Sequence, residues 1–341
     1  IFCWGINGKA SFIGFWTLPL GVFTYWINLL SFISALGLLI YYRYFLFLVL
    51  TIINISIYLN DYKLYVGETQ GTSILSWNVS GRHARTPDNK NKLMCIFTHI
   101  NEWKKNHTSS IVFLQEVPKK DTASYERYLK MQCYWTHYTC QSDNCNGLLL
   151  CADDAWSFHL EQHREFKKGS RYGYLQLELL HNETKQRLNA INVHLESLYR
   201  TASNFPEIKK RASVWKTIKE QPNIGLILGF LSEHASKKRE EMDRLYEVLQ
   251  QLKDPPIIAG DFNTPSSMWL HRRLQKDFID AHRATGRGFG KTTFRWGVIE
   301  NRINYLYASP ELQWSGPTTV DLNATCSDHH PISSWFTLPA K

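Results

Sequence analysis

The sequence predicts an α+β fold: two packed, largely antiparallel β-sheets with helices outside them, preceded by an N-terminal transmembrane helical hairpin. Three observations carry this. The first 60 residues are nearly free of charge. Downstream, short β-rich runs alternate with amphipathic helices. Between Cys133 and His194 several strands follow one another with no helix between them, which a purely alternating, doubly wound sheet would not show.

No Asp, Glu, Lys or Arg occurs from Ala10 to Tyr42 or from Tyr44 to Asn60, and only Arg43 separates the two runs. A bilayer core takes roughly 20 mostly apolar residues per helix. The first run exceeds that and the second nearly meets it, so two passes are expected. A signal-peptide core of about 7–15 residues is too short to match, and a soluble hairpin would carry a charged face. Gly14, Pro19 and Gly21 blur the start of the first helix, where Phe15 to Leu20 suit the interface. If Arg43 marks a cytoplasmic turn under the positive-inside rule, everything after Asp61 lies outside the cytoplasm. A chain starting at Ile1 leaves a further upstream helix, and so the topology, open. The expectation is an integral membrane protein: residues 1–60 in the bilayer, 61–72 a polar linker, 73–341 one extracytoplasmic folded domain.

Lys9 and Arg43 give residues 1–60 a charge of +2, which leaves +7 of the total +9 on the remainder. Such a basic part is drawn to anionic membranes or phosphate-rich substrates, and charge does not choose between them. Of seven cysteines, Cys133, Cys140, Cys145 and Cys151 crowd together without the paired C-x-x-C spacing of a zinc site. Two readings stay open: cysteines packed on strands, or a loop-closing Cys140–Cys145 disulfide in an oxidising compartment.

The clearest strands are Ser73–Val79, Ile111–Gln115, Gly147–Ala152, Tyr172–Leu180, Arg187–His194 and Pro256–Ala259, and helices are expected over Lys90–Asn106, Phe205–Glu220 and Glu233–Leu252. The apolar Ile224–Leu231 falls between two of these helices, as helix packing or as a membrane-facing loop. No repeat or low-complexity tract interrupts the domain.

Polar groups gather at strand ends, where a sheet brings residues distant in sequence into one cleft: Asn78, then Gln115-Glu116, Asn192-Val193-His194, Asp261-Phe262-Asn263 and Ser327-Asp328-His329. Carboxylates with an amide oxygen, and no Cys or His doublet, describe a site for Mg²⁺, with Mn²⁺ the alternative. Such an ion polarises a phosphoryl oxygen, a carboxylate or histidine deprotonates water, and histidines stabilise the phosphate. Singly, each residue also reads as a cap, a turn former or a core histidine. Only the set is specific.

The pieces SWNVSG (76–81), FLQEV (113–117), NVHLES (192–197), AGDFNTP (259–265), NRINYLYAS (301–309) and CSDHHPI (326–332) together resemble the endonuclease/exonuclease/phosphatase superfamily, the fold of DNase I. The resemblance spans Ser73 to Phe336 and implies a four-layer α/β/β/α sandwich. It implies Glu116 as principal metal ligand with Asn78 and Asp328 nearby. Asp261 would position and deprotonate the water, Asn263 hold the phosphate or nucleophile, His194 bind a phosphate oxygen, and His329 act as acid/base or phosphate-stabilising group. One position departs: Asn304 stands where the family usually has an Asp behind the histidine. An amide oxygen accepts a hydrogen bond from the imidazole but does not stabilise an imidazolium as a carboxylate does, and the equivalent exchange in a serine-protease triad costs about 10⁴ in rate. Asp321 or Glu300 are the substitutes in reach of the sequence.

A membrane hairpin ahead of such a domain, with DFIDAHRATGRGFGKTTF (277–294), is similar to the VanJ-like group, which implies an isoprenyl pyrophosphate or other phosphorylated lipid as substrate. Three alternatives stand beside it. A membrane-tethered nuclease would use Arg171, Lys209, Lys210, Arg211, Arg272 and Arg273 as a basic rim. The others are a sphingomyelinase-like phosphodiesterase and a non-catalytic phosphate- or lipid-binding module disabled at Asn304. No protein partner is inferred.

Overall fold

The structure is a computed structural model and describes residues 30–37, 63–65, 67–79, 89–105, 107–137, 146–166, 172–197, 224–266, 268–288, 290–292 and 302–339. A short ladder joins β1 (Lys63–Leu64) to β11 (Arg287–Gly288). Strands β2 (Thr72–Asn78), β3 (Ser110–Pro118), β4 (Gln132–His137), β5 (Asn146–Ala152), β13 (Gln313–Trp314) and β15 (Ile332–Thr337) form one sheet in the order β13-β15-β2-β3-β5-β4, with β14 (Thr319–Val320) beside β15. The second sheet holds β6 (Trp156–Glu165), β7 (Gly173–His181), β8 (Arg187–His194), β9 (Pro256–Asp261), β10 (Ile279–Asp280) and β12 (Asn304–Ala308), in the order β10-β12-β9-β8-β7-β6. Only β2–β3 and β8–β9 pair in parallel within these two sheets.

Three apolar layers define the sandwich. The middle one packs the sheets together through Ile74, Ile111, Phe113, Leu175, Ala190 and Leu306. Helices α1 (Asn89–Lys104) and α2 (Thr122–Leu129) cover the outside of the first sheet, burying Ile96, Phe97, Tyr125 and Leu129 on Trp77, Val112 and Leu114. Helices α3 (Ile224–Leu249) and α4 (Trp269–Asp277) cover the second, placing Met242, Leu245 and Leu274 on Ile191, Val193 and Ile258. Because side chains alternate along a strand, Ile111 and Phe113 enter the middle layer while Val112 and Leu114 enter an outer one. Both faces are buried, so these strands read as continuous apolar runs. Each such side chain stabilises the fold by roughly 1.5–3 kcal/mol.

Buried amides tie the sheets near one end. Gln115 Nε2 donates to Asn192 Oδ1 at 2.8 Å, and Asn192 Nδ2 donates to the carbonyls of Leu114 and Leu149 at 2.9 Å each. Leaving such groups unpaired would cost about 1–3 kcal/mol each, so they hold the two sheets in register.

Several expectations change. The apolar Ile224–Leu231 is the start of α3, with Phe230 buried, rather than a membrane-facing loop. No proline stops the helix there, so it runs on through Ser232. Cys133 and Cys151 face each other across β4 and β5 and are disulfide-bonded. Cys95 on α1 is bonded to Cys326, just ahead of Ser327-Asp328-His329. Cys140, Cys145 and the helix expected over 205–220 lie outside the described residues. So does the hairpin expected over 1–60, apart from the helical segment 30–37, which exposes Leu30, Ile33 and Leu36. Among the described residues no helix is long and apolar enough to cross a membrane.

Candidate active site

In a parallel pair the carboxyl ends of the strands lie side by side, which is where open α/β sheets place ligands. Here β2–β3 aligns Asn78 with Gln115, and β8–β9 aligns His194 with Asp261. Antiparallel β12 then sets Asn304 opposite Asp261. Stacking of the sheets joins the two pairs: Asn78 Nδ2 donates to Asp261 Oδ2 at 2.9 Å.

Two backbone irregularities aim the carboxylates. The β3–β5 ladder shifts between Gln115 and Val117, and Glu116, the bulged residue, has φ 59°. That left-handed conformation costs roughly 1–2 kcal/mol for a residue with a Cβ, and bulges re-aim side chains beside active sites. Glu116 Oε1 lies 3.3 Å from Asn78 Nδ2. At Gly260, φ is 150° and a Cβ would lie 2.0 Å from Val193 O, so β9 can approach β8 this closely only with glycine before Asp261.

Asp261 is the hub. Its side chain is 1% exposed, with Oδ2 3.7 Å from His194 Nε2 and 3.8 Å from His329 Nε2. Asn263, another left-handed residue at φ 50°, donates its backbone N–H to Asp261 Oδ1 at 2.8 Å. The Asn263 side-chain Nδ2 donates to Leu195 O at 2.8 Å and to Asp261 Oδ2 at 3.2 Å, so it braces the carboxylate. His194 Nε2 is also 3.7 Å from Glu116 Oε1. Burial holds the His194 imidazole below its usual range, while the Asp261 and Glu116 carboxylates pull the other way.

His329 Nδ1 lies 2.9 Å from Asn304 Oδ1. An amide oxygen only accepts, so Nδ1 carries the hydrogen and Nε2 turns toward Asp261. Asn304 Nδ2 has no hydrogen-bond partner among the described residues. Asp321 does not stand in for the missing carboxylate, because it pairs with His99 Nδ1 at 3.2 Å; Glu300 lies outside the described residues. The His329 backbone is held by Trp77 Nε1, which donates to its carbonyl at 2.8 Å, and by Ser327 Oγ, which accepts from its N–H at 3.2 Å.

The structure thus brings together Asn78, Glu116, His194, Asp261, Asn263, Asn304 and His329. Asp328, next to His329 in the chain, and Glu116 both act electrostatically on a residue the sequence reading missed. Lys92, half-buried on α1, is lowered by burial and raised by the charges of Asp328, Glu116 and Asp121. A lysine on an amphipathic helix carries no sequence signal for this. Of the expected basic rim, Arg273 pairs with Asp243 and lies 4.2 Å over the Tyr246 ring, and Arg272 is exposed. Arg171, Lys209, Lys210 and Arg211 lie outside the described residues. Within 277–294, Asp280 caps the short helix Ala281–Thr285 and pairs with buried Arg302, which makes that stretch a structural corner.

Glu116, Asp328 and the Asn78 amide offer oxygen donors only, and that chemistry fits a hard divalent cation. Cys95, His99 and Cys326 also cluster, but both sulfurs are held in the disulfide and offer no thiolate.

The sequence profile described as Endonuclease/Exonuclease/phosphatase family matches residues 75–329. The chain belongs to this family. Endonuclease/exonuclease/phosphatase proteins are hydrolases of phosphoester bonds, and this chain is one of them. A search of curated proteins finds no match. Among solved structures, the human Nocturnin catalytic domain with bound sulfate is 14% identical at a TM-score of 0.57, covering 80% of this chain and 97% of that one. Truncated Caenorhabditis elegans TDP2 is 20% identical at 0.52, covering 77% and 96%. A mannosyl-6-phosphatase of Bacteroides thetaiotaomicron is 12% identical at 0.54, covering 79% and 100%. These likenesses place the four-layer sandwich among the folds of this family.

Proposed function

We propose that this family member is a membrane-anchored, Mg²⁺-dependent phosphoesterase that hydrolyses a phosphate ester or pyrophosphate on a lipid or isoprenyl carrier by direct attack of water. The convergence of Glu116 and Asp261 with Asn78, His194 and His329 at the carboxyl ends of β2, β3, β8 and β9, with Asp328 next to His329 in the chain, carries the chemistry. Glu116, Asp328 and Asn78 would hold Mg²⁺, or Mn²⁺ in its place. An ion held by these residues would supply positive charge against that developing on the phosphoryl and leaving oxygens. Asp261, braced by Asn263 and Asn78, orients the water and accepts its proton. His194 faces the phosphate beside it. His329, with Nδ1–H fixed on Asn304, presents Nε2, from which it donates only as an imidazolium. No covalent intermediate is required.

The membrane assignment is supported by the uncharged runs 10–42 and 44–60 and by the exposed Leu30, Ile33 and Leu36. A hydrolase held at a bilayer suits a substrate that partitions there. The test offers the purified protein, with Mg²⁺ or EDTA, undecaprenyl pyrophosphate, sphingomyelin and plasmid DNA, beside Glu116→Ala. Mg²⁺-dependent phosphate release from the isoprenyl substrate, lost in the variant, is the expected result. Nicking of DNA without lipid turnover would replace this reading with a nuclease. Turnover of none would leave a phosphate- or lipid-binding module.

A further inference from the structure

Behind the site, α3 carries a charged pair that the chemistry above does not use. Lys238 is 0% exposed and Glu241, one turn on, is 6% exposed. Taking an ammonium and a carboxylate out of water costs several kcal/mol per ion, so the positions of their partners are informative. Lys238 Nζ donates to Phe262 O at 3.1 Å and lies 3.6 Å from Glu241 Oε2. Both Glu241 oxygens accept from Glu196 N–H at 3.1 Å.

Those contacts fall on the two turns that carry the reacting groups. Phe262 lies between Asp261 and Asn263, and Glu196 is two residues beyond His194. At the front the same turns are joined to each other, Leu195 N–H to Asp261 O at 2.9 Å and Asn263 Nδ2 to Leu195 O at 2.8 Å. The rest of the charged surroundings comes from Lys237, 3.3 Å from Glu196 and 2.9 Å from Glu233, from His234, buried one turn before Lys238, and from Asp261 itself. Burial pushes the Glu241 carboxyl up to about 7 and lowers Lys238, so the pair sits where charge is disfavoured unless both members are present.

We infer that Lys238 and Glu241 are positioning residues, an ion pair that sets the spacing of the turns after β8 and β9 and thereby the aim of Asp261 at the attacking water. The pair is not needed for stability as such: replacing a buried ion pair with apolar residues of similar volume is often neutral or stabilising. A displacement of about 1 Å at a catalytic group, in contrast, costs about 10²-fold in rate. The two roles therefore separate in a single variant.

This inference rests on the hydrolase reading, and its test keeps the two apart. The double variant Lys238→Met/Glu241→Leu is compared with wild type for thermal melting, for kcat and KM in Mg²⁺-dependent hydrolysis, and for hydrogen exchange at the amides of Leu195, Glu196 and Asn263. Expected are an unchanged or higher melting temperature, kcat lower by about 10- to 100-fold with KM within about threefold, and faster exchange at Glu196. Glu241→Gln, which keeps an amide oxygen for the Glu196 N–H, should lose less in both rate and protection. Wild-type kcat and wild-type exchange in the double variant would overturn the assignment, as would a loss of kcat only in proportion to lost folding. If wild type hydrolyses nothing, the functional reading falls, and the Glu196 amide alone decides whether the clamp exists.

Discussion

The two parallel strand pairs deliver their side chains in opposite ways. The β2–β3 end is open and strained: Glu116 sits on a bulge in a left-handed conformation, its side chain 28% exposed, with its charge felt by Lys92. The β8–β9 end is closed and braced: His194 and Asp261 are 5% and 1% exposed, with α3 tied to the turns behind them. The difference matches the role proposed for each end. A group that takes up and releases an ion needs access, whereas a base aimed at one water needs a fixed position.

The largest expected effect is on the open end, where the Cys95–Cys326 disulfide, closing a sequence separation of 231 residues, anchors the Asp328–His329 segment to α1. Cys326→Ala should lower unfolding free energy by about 5 kcal/mol, against about 3 kcal/mol for Cys133→Ala, whose bridge spans 18 residues. Urea titrations of the two variants check the order. Asp261→Asn keeps an oxygen for the Asn263 N–H but removes the base, so kcat should fall about 10³-fold with little change in melting temperature. A loss of KM alone would contradict the role of the closed end.

Glu116→Gly should raise the Mg²⁺ concentration for half-maximal rate by about 10- to 100-fold without lowering the melting temperature, because glycine relieves the left-handed backbone. The closed side also carries His234 and His271, both held well below the usual histidine range by burial. A depressed folded value means their contribution is fully present above the unfolded value near 6.5 and is lost as pH falls below it. Stability should therefore decline on acidification by up to about 1.4 kcal/mol per pH unit for each histidine. Melting curves of His271→Gln should show a shallower acid limb. The smallest effect is Asn304→Asp, which places a carboxylate behind His329. It should raise kcat about tenfold and leave the Mg²⁺ midpoint unchanged.

Much of this was legible before any coordinates. The strand Arg187–His194 has the bounds read from its apolar run, and β2, β3 and β9 differ from their reading by a few residues at most. Of the polar residues expected at strand ends, Asn78, Glu116, His194, Asp261, Asn263 and His329 lie within 3.8 Å of one another through Asp261 and Glu116, because parallel register carries a strand-end residue to its neighbour's end. What escaped were pairings. Asp321 reads as an available carboxylate but is engaged by His99, and the bonds Cys95–Cys326 and Cys133–Cys151 join elements that the spacing of the cysteines did not link.

The amino-acid sequence by itself determined the apolar runs that become doubly buried strands, and the types of side chain at their ends, since periodicity and residue chemistry are local properties. Tertiary structure decided which groups oppose one another: Asn78 against Asp261, Lys238 and Glu241 behind Asp261, Asn304 as the sole partner of His329 Nδ1 among the described residues. The physical reason is that a charge or a hydrogen-bond donor acquires its energy from what it faces at about 3 Å, and that neighbour is set by the packing of the layers.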